Sequence, residues 1–343
     1  MGGRIHFIDN LRGVLILLVV LGHFYLNGRA EAQVTGLLYS TIYLFHMPLF
    51  VFVSGFLAKR VYTKEKGLRA NKIINLVVLG FLFQAVIIAF YPGPETIIVF
   101  LKTLNFGSTP WYLISLASWY LITPVLARSK PLPTIIVSVV LGLLAGCVEV
   151  FDDTFSIART FMFLPFFVTG YYCSTERLER VSRSRSAKVV AVAAALFVVC
   201  YWMGGGSLLL RQFTYVYGNS PYPSTVLQGV LGRGTVYLVA VWLSVAVVSI
   251  IPKREVRWLA FLGKNTLSIY VFHRIIKCIC VNNGLFDLPL ISDPVLAPLF
   301  LTGIAVLVTL VCLLPFLRKP LDAFMRLKWS WLFGKEEEKP AAA

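Results

Sequence analysis

The chain has 343 residues, of which 58% are hydrophobic and 14% charged, and its mean hydropathy is +0.78. This composition excludes an ordinary soluble globular domain and indicates a membrane protein. The formal net charge is +16, but the basic residues are scattered between apolar segments, so we expect contact with anionic membrane lipids and no nucleic-acid partner. The six cysteines lie in or beside apolar segments and are interpreted as small hydrophobic residues, neither disulfides nor a metal site.

Ten apolar segments follow one another along the chain. They are too long for barrel strands and lack alternating polarity, so helices are the expected spanning form. The predicted fold is an all-α, polytopic bundle of about ten transmembrane helices, with one transmembrane domain over residues 1–330 and a short, charged, disordered tail over 331–343. The segments lie at about 13–27, 37–57, 73–91, 111–127, 134–150, 160–173, 188–205, 233–251, 265–282 and 294–316.

The Lys and Arg residues predict the orientation, because cytoplasmic connections are enriched in them. An even number of spans places both termini on one side, and the connections on that side hold most of the basic residues. Both termini and the tail are therefore predicted to be cytoplasmic, in a multi-pass protein of a bacterial inner membrane or a eukaryotic secretory membrane. The opposite connections hold only Arg29, Lys102, Arg159, Arg211 and Arg233.

The first apolar segment carries four polar residues: Asp9, Arg12, His23 and Asn27. Eleven helical steps of 100° place Arg12 and His23 on one face, roughly 16 Å apart along the axis. Asp9 precedes Arg12 by three residues and is expected to pair with it. Asn27 follows His23 by four residues and is a candidate to hold one ring nitrogen.

This polar stripe must face protein or a cavity, because exposure of such groups to lipid is costly. A neutral histidine in that setting is suited to act as a general base. The alternative is a histidine whose hydrogen bonds are satisfied by a neighbouring helix. In the second segment, His46 precedes the helix-kinking Pro48 and is either a cavity residue or a packing residue.

Two further groups of cations are candidate ligands. Arg69 and Lys72, three residues apart at the start of the third segment, would form a phosphate clamp with Lys66 nearby, although a plain cytoplasmic loop has the same composition. Arg274 and Lys277 lie inside the ninth segment, where they either serve a function or extend to the membrane surface. The loop from about 204 to 232, with Tyr215, Tyr217, Asn219 and Tyr222, is expected to be an ordered surface able to meet a polar ligand.

The chain resembles the family 3 membrane acyltransferases, and most closely the compact, fucose O-acetylase-like members. The resemblance rests on the ten-residue spacing between Arg12 and His23 after Ile8-Asp9, and on the motifs at 45–50 and 54–56. Weaker landmarks are Trp111-Tyr112-Leu113, the stretch from Arg159 to Gly170, and residues 263–270 with His273. The family's usual pair of loop arginines is replaced here by Arg69 and Lys72, which keeps the charge and loses bidentate geometry.

The resemblance implies an integral-membrane O-acetyltransferase. Acetyl-CoA would be the cytoplasmic donor, held by Arg69, Lys72, Lys66 and Arg12, and a glycan or other hydroxyl compound the acceptor on the opposite side. His23 would act as the base with Arg12 and Asp9 as positioning groups, and no metal is required. The substrate cavity would include Asn27, His46, Trp111, Arg159, His273 and Arg274.

A transporter of an organic anion or glycan precursor is the alternative hypothesis, with Arg12, Arg274 and Lys277 as substrate ligands. Many transporters are built from internal repeats. No repeat stands out in this sequence, so the transporter hypothesis lacks that support. A scaffolding role would leave the polar stripe unexplained.

Overall fold

The computed structural model describes residues 6–28, 33–91, 94–106, 108–148, 154–204, 222 and 225–329. The predicted tail at 331–343 and most of the loop at 204–232 lie outside these ranges. The helices, in chain order, are α1 (His6–Gly28), α2 (Gln33–Ala58), α3 (Ala70–Ala89), α4 (Pro94–Thr103), α5 (Trp111–Leu121), α6 (Thr123–Leu126), α7 (Pro131–Leu144), α8 (Ile157–Tyr172), α9 (Thr175–Arg183), α10 (Arg185–Met203), α11 (Val226–Ile250), α12 (Arg257–Lys264), α13 (Thr266–Asn282), α14 (Leu296–Val311) and α15 (Pro315–Phe324).

Helices dominate the described residues, as expected for a membrane bundle. Five of them, α1, α2, α3, α10 and α11, are long and apolar enough to cross a membrane, and α14 with α15 forms a sixth candidate bent by 60°. The remaining predicted segments fall on shorter helices. The 11 residues of α5 rise roughly 16 Å, about half the hydrocarbon thickness. The structure therefore supports a helical membrane protein with five or six such helices in its described part, while ten spans stays a prediction.

A small β-hairpin interrupts the helical pattern between α2 and α3, where the sequence predicted only a loop. Strand β1 (Tyr62–Thr63) pairs antiparallel with β2 (Gly67–Leu68). Gly67 has φ +63°, a left-handed conformation that glycine adopts without steric cost. The backbone N–H of Arg69 donates to the carbonyl of Val61 at 2.9 Å, which fixes the start of α3 beside the end of α2.

Helix α1 lies at the centre of the fold, packed against α2, α12, α13 and α14. Asn10 on its first turns binds the connection before α12: its side-chain N–H groups donate to the carbonyls of Pro252 and Arg254, both at 2.8 Å. Gly13 leaves no room for a side chain because the backbone of Leu259 lies against it. The beginning and the last third of the chain are thus joined at this helix.

The contact between α2 and α8 is close enough to require glycine on both sides. A Cβ atom on Gly55 would overlap the carbonyl of Phe167, and one on Gly170 would overlap the carbonyl of Phe52. Small residues at membrane helix contacts allow such backbone approach. This contact sets the position of His46 and Pro48 on α2 relative to the aromatic residues of α8.

Gly55→Ala should therefore destabilise the protein by about 1–3 kcal/mol, because the two backbones must separate to admit the methyl group. The measurement is thermal unfolding of the purified protein in detergent. Gly303→Ala is the matched control, since a Cβ at Gly303 meets no atom within 4 Å. Equal melting temperatures for the two variants would contradict the packing argument.

Candidate active site

A hydrogen bond between two histidines lies at the centre of the site. Nδ1 of His23 on α1 and Nε2 of His273 on α13 are 2.9 Å apart. Nδ1 of His273 is 2.7 Å from the carbonyl oxygen of Ile269. That oxygen only accepts, so Nδ1 of His273 carries a proton, and in a neutral ring its Nε2 is then an acceptor. His23 consequently donates through Nδ1, and its Nε2 keeps a lone pair.

His23 lines a cavity of ≈ 200 Å³, called here the His23 cavity. His46 is also in its wall, with Nδ1 of that ring 2.8 Å from the carbonyl oxygen of Ile42. Trp111 stacks on Phe163 with 5.1 Å between ring centroids. The polar and aromatic lining residues are His23, Tyr43, His46, Ser108, Thr109, Trp111, Arg159, Phe163, Tyr270, Arg274 and Lys277.

Three of these side chains are cationic. Arg159, from the first turn of α8, has its guanidinium carbon 5.6 Å from the centre of the Trp111 ring. Arg274 and Lys277 come from α13, and Lys277 is 3% exposed. The described lining residues include no Asp or Glu. The described lining of the His23 cavity therefore contains three cationic side chains and no carboxylate.

A second cavity, of ≈ 280 Å³, surrounds Arg12 and is called the Arg12 cavity. Arg12 donates to the hydroxyl of Thr266 at 2.7 Å and lies 4.0 Å from the carboxylate of Asp9. The ammonium of Lys72 is 4.8 Å from the centre of the Tyr120 ring. Apolar residues such as Leu57 complete the walls. Two cations in a largely apolar chamber suit a ligand with an anionic end and an uncharged arm.

The end of the described chain covers one side of the Arg12 cavity. Met325 lines it, and the carbonyls of Met325 and Leu327 each accept from the side-chain amide of Asn75, both at 3.1 Å. The indole N–H of Trp329 donates to the carbonyl oxygen of the same Asn75 side chain at 2.6 Å. One asparagine on α3 thus holds residues 325–329 against the cavity.

A closed neck separates the two cavities. It is lined by Val19, Met47, Phe50, Tyr112 and Tyr270, with no room for a water molecule. Tyr112 shares a hydrogen bond of 2.5 Å with Ser54, and the hydroxyl of Tyr270 donates to the carbonyl of Thr109. Tyr270 lines both cavities, so its ring forms part of the wall between them.

Helices α1 and α13 run in the same direction along this site. Arg12 contacts Thr266 at one end, and His23 contacts His273 at the other. This arrangement places Arg12 and His23 on one face of α1, as the helical arithmetic predicted.

The structure places most of the predicted site residues at these two cavities. The Asp9 pair with Arg12 is present, and Arg12 and Lys72 line one cavity. Arg69 and Lys66 are exposed near the start of α3 and belong to neither described lining. The residues at the His23 cavity or bonded to it are His23, His46, Trp111, Arg159, His273 and Arg274.

Two expectations from the sequence need correction. The partner of Nδ1 of His23 is His273 rather than Asn27. Helix α13 packs directly beside this turn of α1 and places the His273 ring within hydrogen-bond distance of that nitrogen. Tyr222, expected on a ligand-binding surface, is buried. Its hydroxyl donates to the carbonyl of Leu143 at 2.5 Å and its ring packs on Arg233 at 4.6 Å, so it stabilises the fold.

Sequence reasoning did not nominate several residues of the site. Thr266 and Tyr270 lie in the same motif as His273, and their positions at seven and three residues before it place them on one helical face. Tyr112 follows the predicted Trp111. Nothing in the sequence marked Met325 as a site residue, because only the folding of the last described segment brings it to the Arg12 cavity.

Comparison with known proteins identifies the family. The acyltransferase 3 family model, described as an acyltransferase domain, matches residues 5–317. Searches of curated proteins and of solved structures gave no match. The match covers most of the chain and all the described lining residues of the two cavities except Met325. With the apolar helices it identifies an integral membrane protein. The chain therefore belongs to the acyltransferase 3 family of membrane acyltransferases.

Proposed function

We propose that this acyltransferase moves an acetyl group from acetyl-CoA to a hydroxyl of a glycan or related acceptor across the membrane, with His23 as the general base. The observation that carries the proposal is the chain of hydrogen bonds from the Ile269 carbonyl through His273 to His23. It leaves Nε2 unprotonated on a histidine that lines the cavity, and an unprotonated nitrogen is what a base requires.

The donor would enter from the Arg12 cavity. Its phosphates would meet Lys72 and Arg12, with the exposed Arg69 and Lys66 near the mouth, and its thin pantetheine arm suits the apolar walls. The roughly 16 Å along α1 from Arg12 to His23 is a length that an extended arm covers. The neck is closed in this structure, so Tyr112 and Tyr270 must move to let the thioester reach the His23 cavity.

In the proposed reaction Nε2 of His23 takes the proton of the acceptor hydroxyl. The hydroxyl oxygen attacks the thioester carbonyl carbon, a C–O bond forms, and the C–S bond breaks. The sulfur leaves with the bonding electron pair and receives the proton, which gives the acetyl ester and free CoA. His273 holds the His23 ring in the tautomer that the first step needs, and Arg12 positions the donor.

Removal of the base is the first test. We expect His23→Ala to reduce acceptor-dependent CoA release by roughly 10²–10⁴-fold, the range for loss of a general base, with acetyl-CoA and a mixed glycan panel as substrates. His6→Ala is the control, since it removes an exposed imidazole from the same helix. Transfer by a folded His23→Ala protein at the native rate would refute the proposed role.

His273 should act as a positioning residue. His273→Leu leaves Nδ1 of His23 without its acceptor, and we expect kcat to fall on the order of 10²-fold with the KM for acetyl-CoA unchanged. His273→Gln presents a carbonyl oxygen in a similar place and should recover a large part of kcat. If both variants lose activity in step with their thermal stability, His273 has only a structural role.

The proposed acetyl-CoA site at the Arg12 cavity is tested by removing one of its cations. Lys72→Gln removes a cation from the Arg12 cavity and should raise the KM for acetyl-CoA about 10-fold, the effect of losing one hydrogen bond to a charged group. The acceptor KM should stay constant. Lys64→Gln, which removes an exposed lysine from the β-hairpin that precedes α3, is the control. An equal change in both KM values would argue against a donor site here.

A further inference from the structure

A third cavity, of ≈ 340 Å³, shares no lining residue with the His23 or Arg12 cavity and is called here the Pro165 cavity. Helices α2, α7, α8, α9 and α11 supply its walls, and the internal prolines of α2 and α8, Pro48 and Pro165, line it. Val181 and Val241 also line it and are 36% and 51% exposed. The cavity therefore opens at the outer surface of the bundle, which in a membrane meets the lipid chains.

The length and lining of this cavity match one lipid acyl chain. Along α11 the lining extends from Tyr237 to Val248, a rise of roughly 16 Å. Half of the hydrocarbon core is about 15 Å thick, which is the depth that the acyl chains of one leaflet fill. Most lining residues are aliphatic or aromatic, as in Phe52, Phe166 and Val245, so a bound chain would have apolar surroundings.

The charge at one end of the Pro165 cavity favours a lipid with an anionic headgroup. Arg177, on the first turn of α9, is the one charged residue among the described lining residues. It belongs to the stretch 175–188, which holds five basic and two acidic residues and lies on the side predicted to be cytoplasmic. The cytoplasmic leaflet carries anionic lipids, and an arginine side chain binds phosphate through paired hydrogen bonds.

We infer that the Pro165 cavity binds an acyl chain of one anionic phospholipid from the cytoplasmic leaflet, whose phosphate is held by Arg177. This inference goes beyond the proposed function and does not depend on it. Helix α2 connects the site with the catalytic region, because it places His46 in the lining of the His23 cavity and Pro48 in that of the Pro165 cavity. A bound chain would pack against the helix that holds His46.

The test measures lipid binding to the purified full chain in detergent by native mass spectrometry. The probes are dioleoylphosphatidylglycerol, which is anionic, and dioleoylphosphatidylcholine, which has the same chains and no net charge. We expect one phosphatidylglycerol to bind about 10-fold more tightly than phosphatidylcholine, the effect of one hydrogen bond to a charged group. Arg177→Gln should remove this difference. Arg180→Gln, which removes an exposed arginine of α9 outside the described lining, should keep it.

A second variant tests the apolar part of the cavity. Ser244→Phe adds a ring at a lining position and should weaken the binding of both lipids by about 10-fold or more, since about two buried methylene groups account for such a factor. The Ser244 hydroxyl has no hydrogen-bond partner among the described atoms, so the change removes no such bond there. Leu238→Phe, at an exposed position of the same helix outside the described lining, is the control.

Equal affinity for the two lipids, or equal losses in Arg177→Gln and Arg180→Gln, would overturn the inference, because either result indicates general attraction to a basic surface. So would unchanged lipid binding by Ser244→Phe, or a dimer in place of the lipid complex, which would assign the cavity to a second copy of this chain. If Ser244→Phe does not fold, Val241→Phe, at a half-exposed lining position, tests the same cavity. Neither donor nor acceptor takes part in these measurements, so failure of the proposed function would be seen separately, as absent CoA release.

Discussion

The structure depends on one constraint: polar side chains on a membrane-spanning helix must be satisfied by protein. Helix α1 carries Asn10, Arg12 and His23, and each is met by a segment from the last third of the chain. Asn10 binds the connection before α12, Arg12 binds Thr266, and His23 binds His273. These contacts join residues about 250 positions apart, so the site exists only when the two ends of the bundle have come together.

The same contacts explain why the His23 cavity and the Arg12 cavity are separate. Helices α1 and α13 touch through Arg12 at one end and His23 at the other, and the space between them is filled by apolar and aromatic side chains. Tyr270, on the turn before His273, belongs to both chambers. A closed neck keeps water on the acceptor side away from a thioester on the donor side, which limits hydrolysis in the proposed reaction.

Local sequence arithmetic predicted the parts of this site that lie within one helix. The shared face of Arg12 and His23 and the pairing of Asp9 with Arg12 follow from helical periodicity alone. The partner of His23 could not be found this way, because Asn27 and His273 are both plausible and only the packing of α13 decides. Hydropathy located the apolar segments, but it could not show that the segment at 111–127 is divided at Ile122, where α5 ends and α6 begins.

The base is held by a second histidine instead of a carboxylate, and this determines the charge beside it. A carboxylate would stabilise the imidazolium that forms when His23 accepts a proton, as in serine hydrolases, but it would also place a fixed negative charge beside Arg274 and Lys277. His273 and the Ile269 carbonyl hold the ring without adding charge.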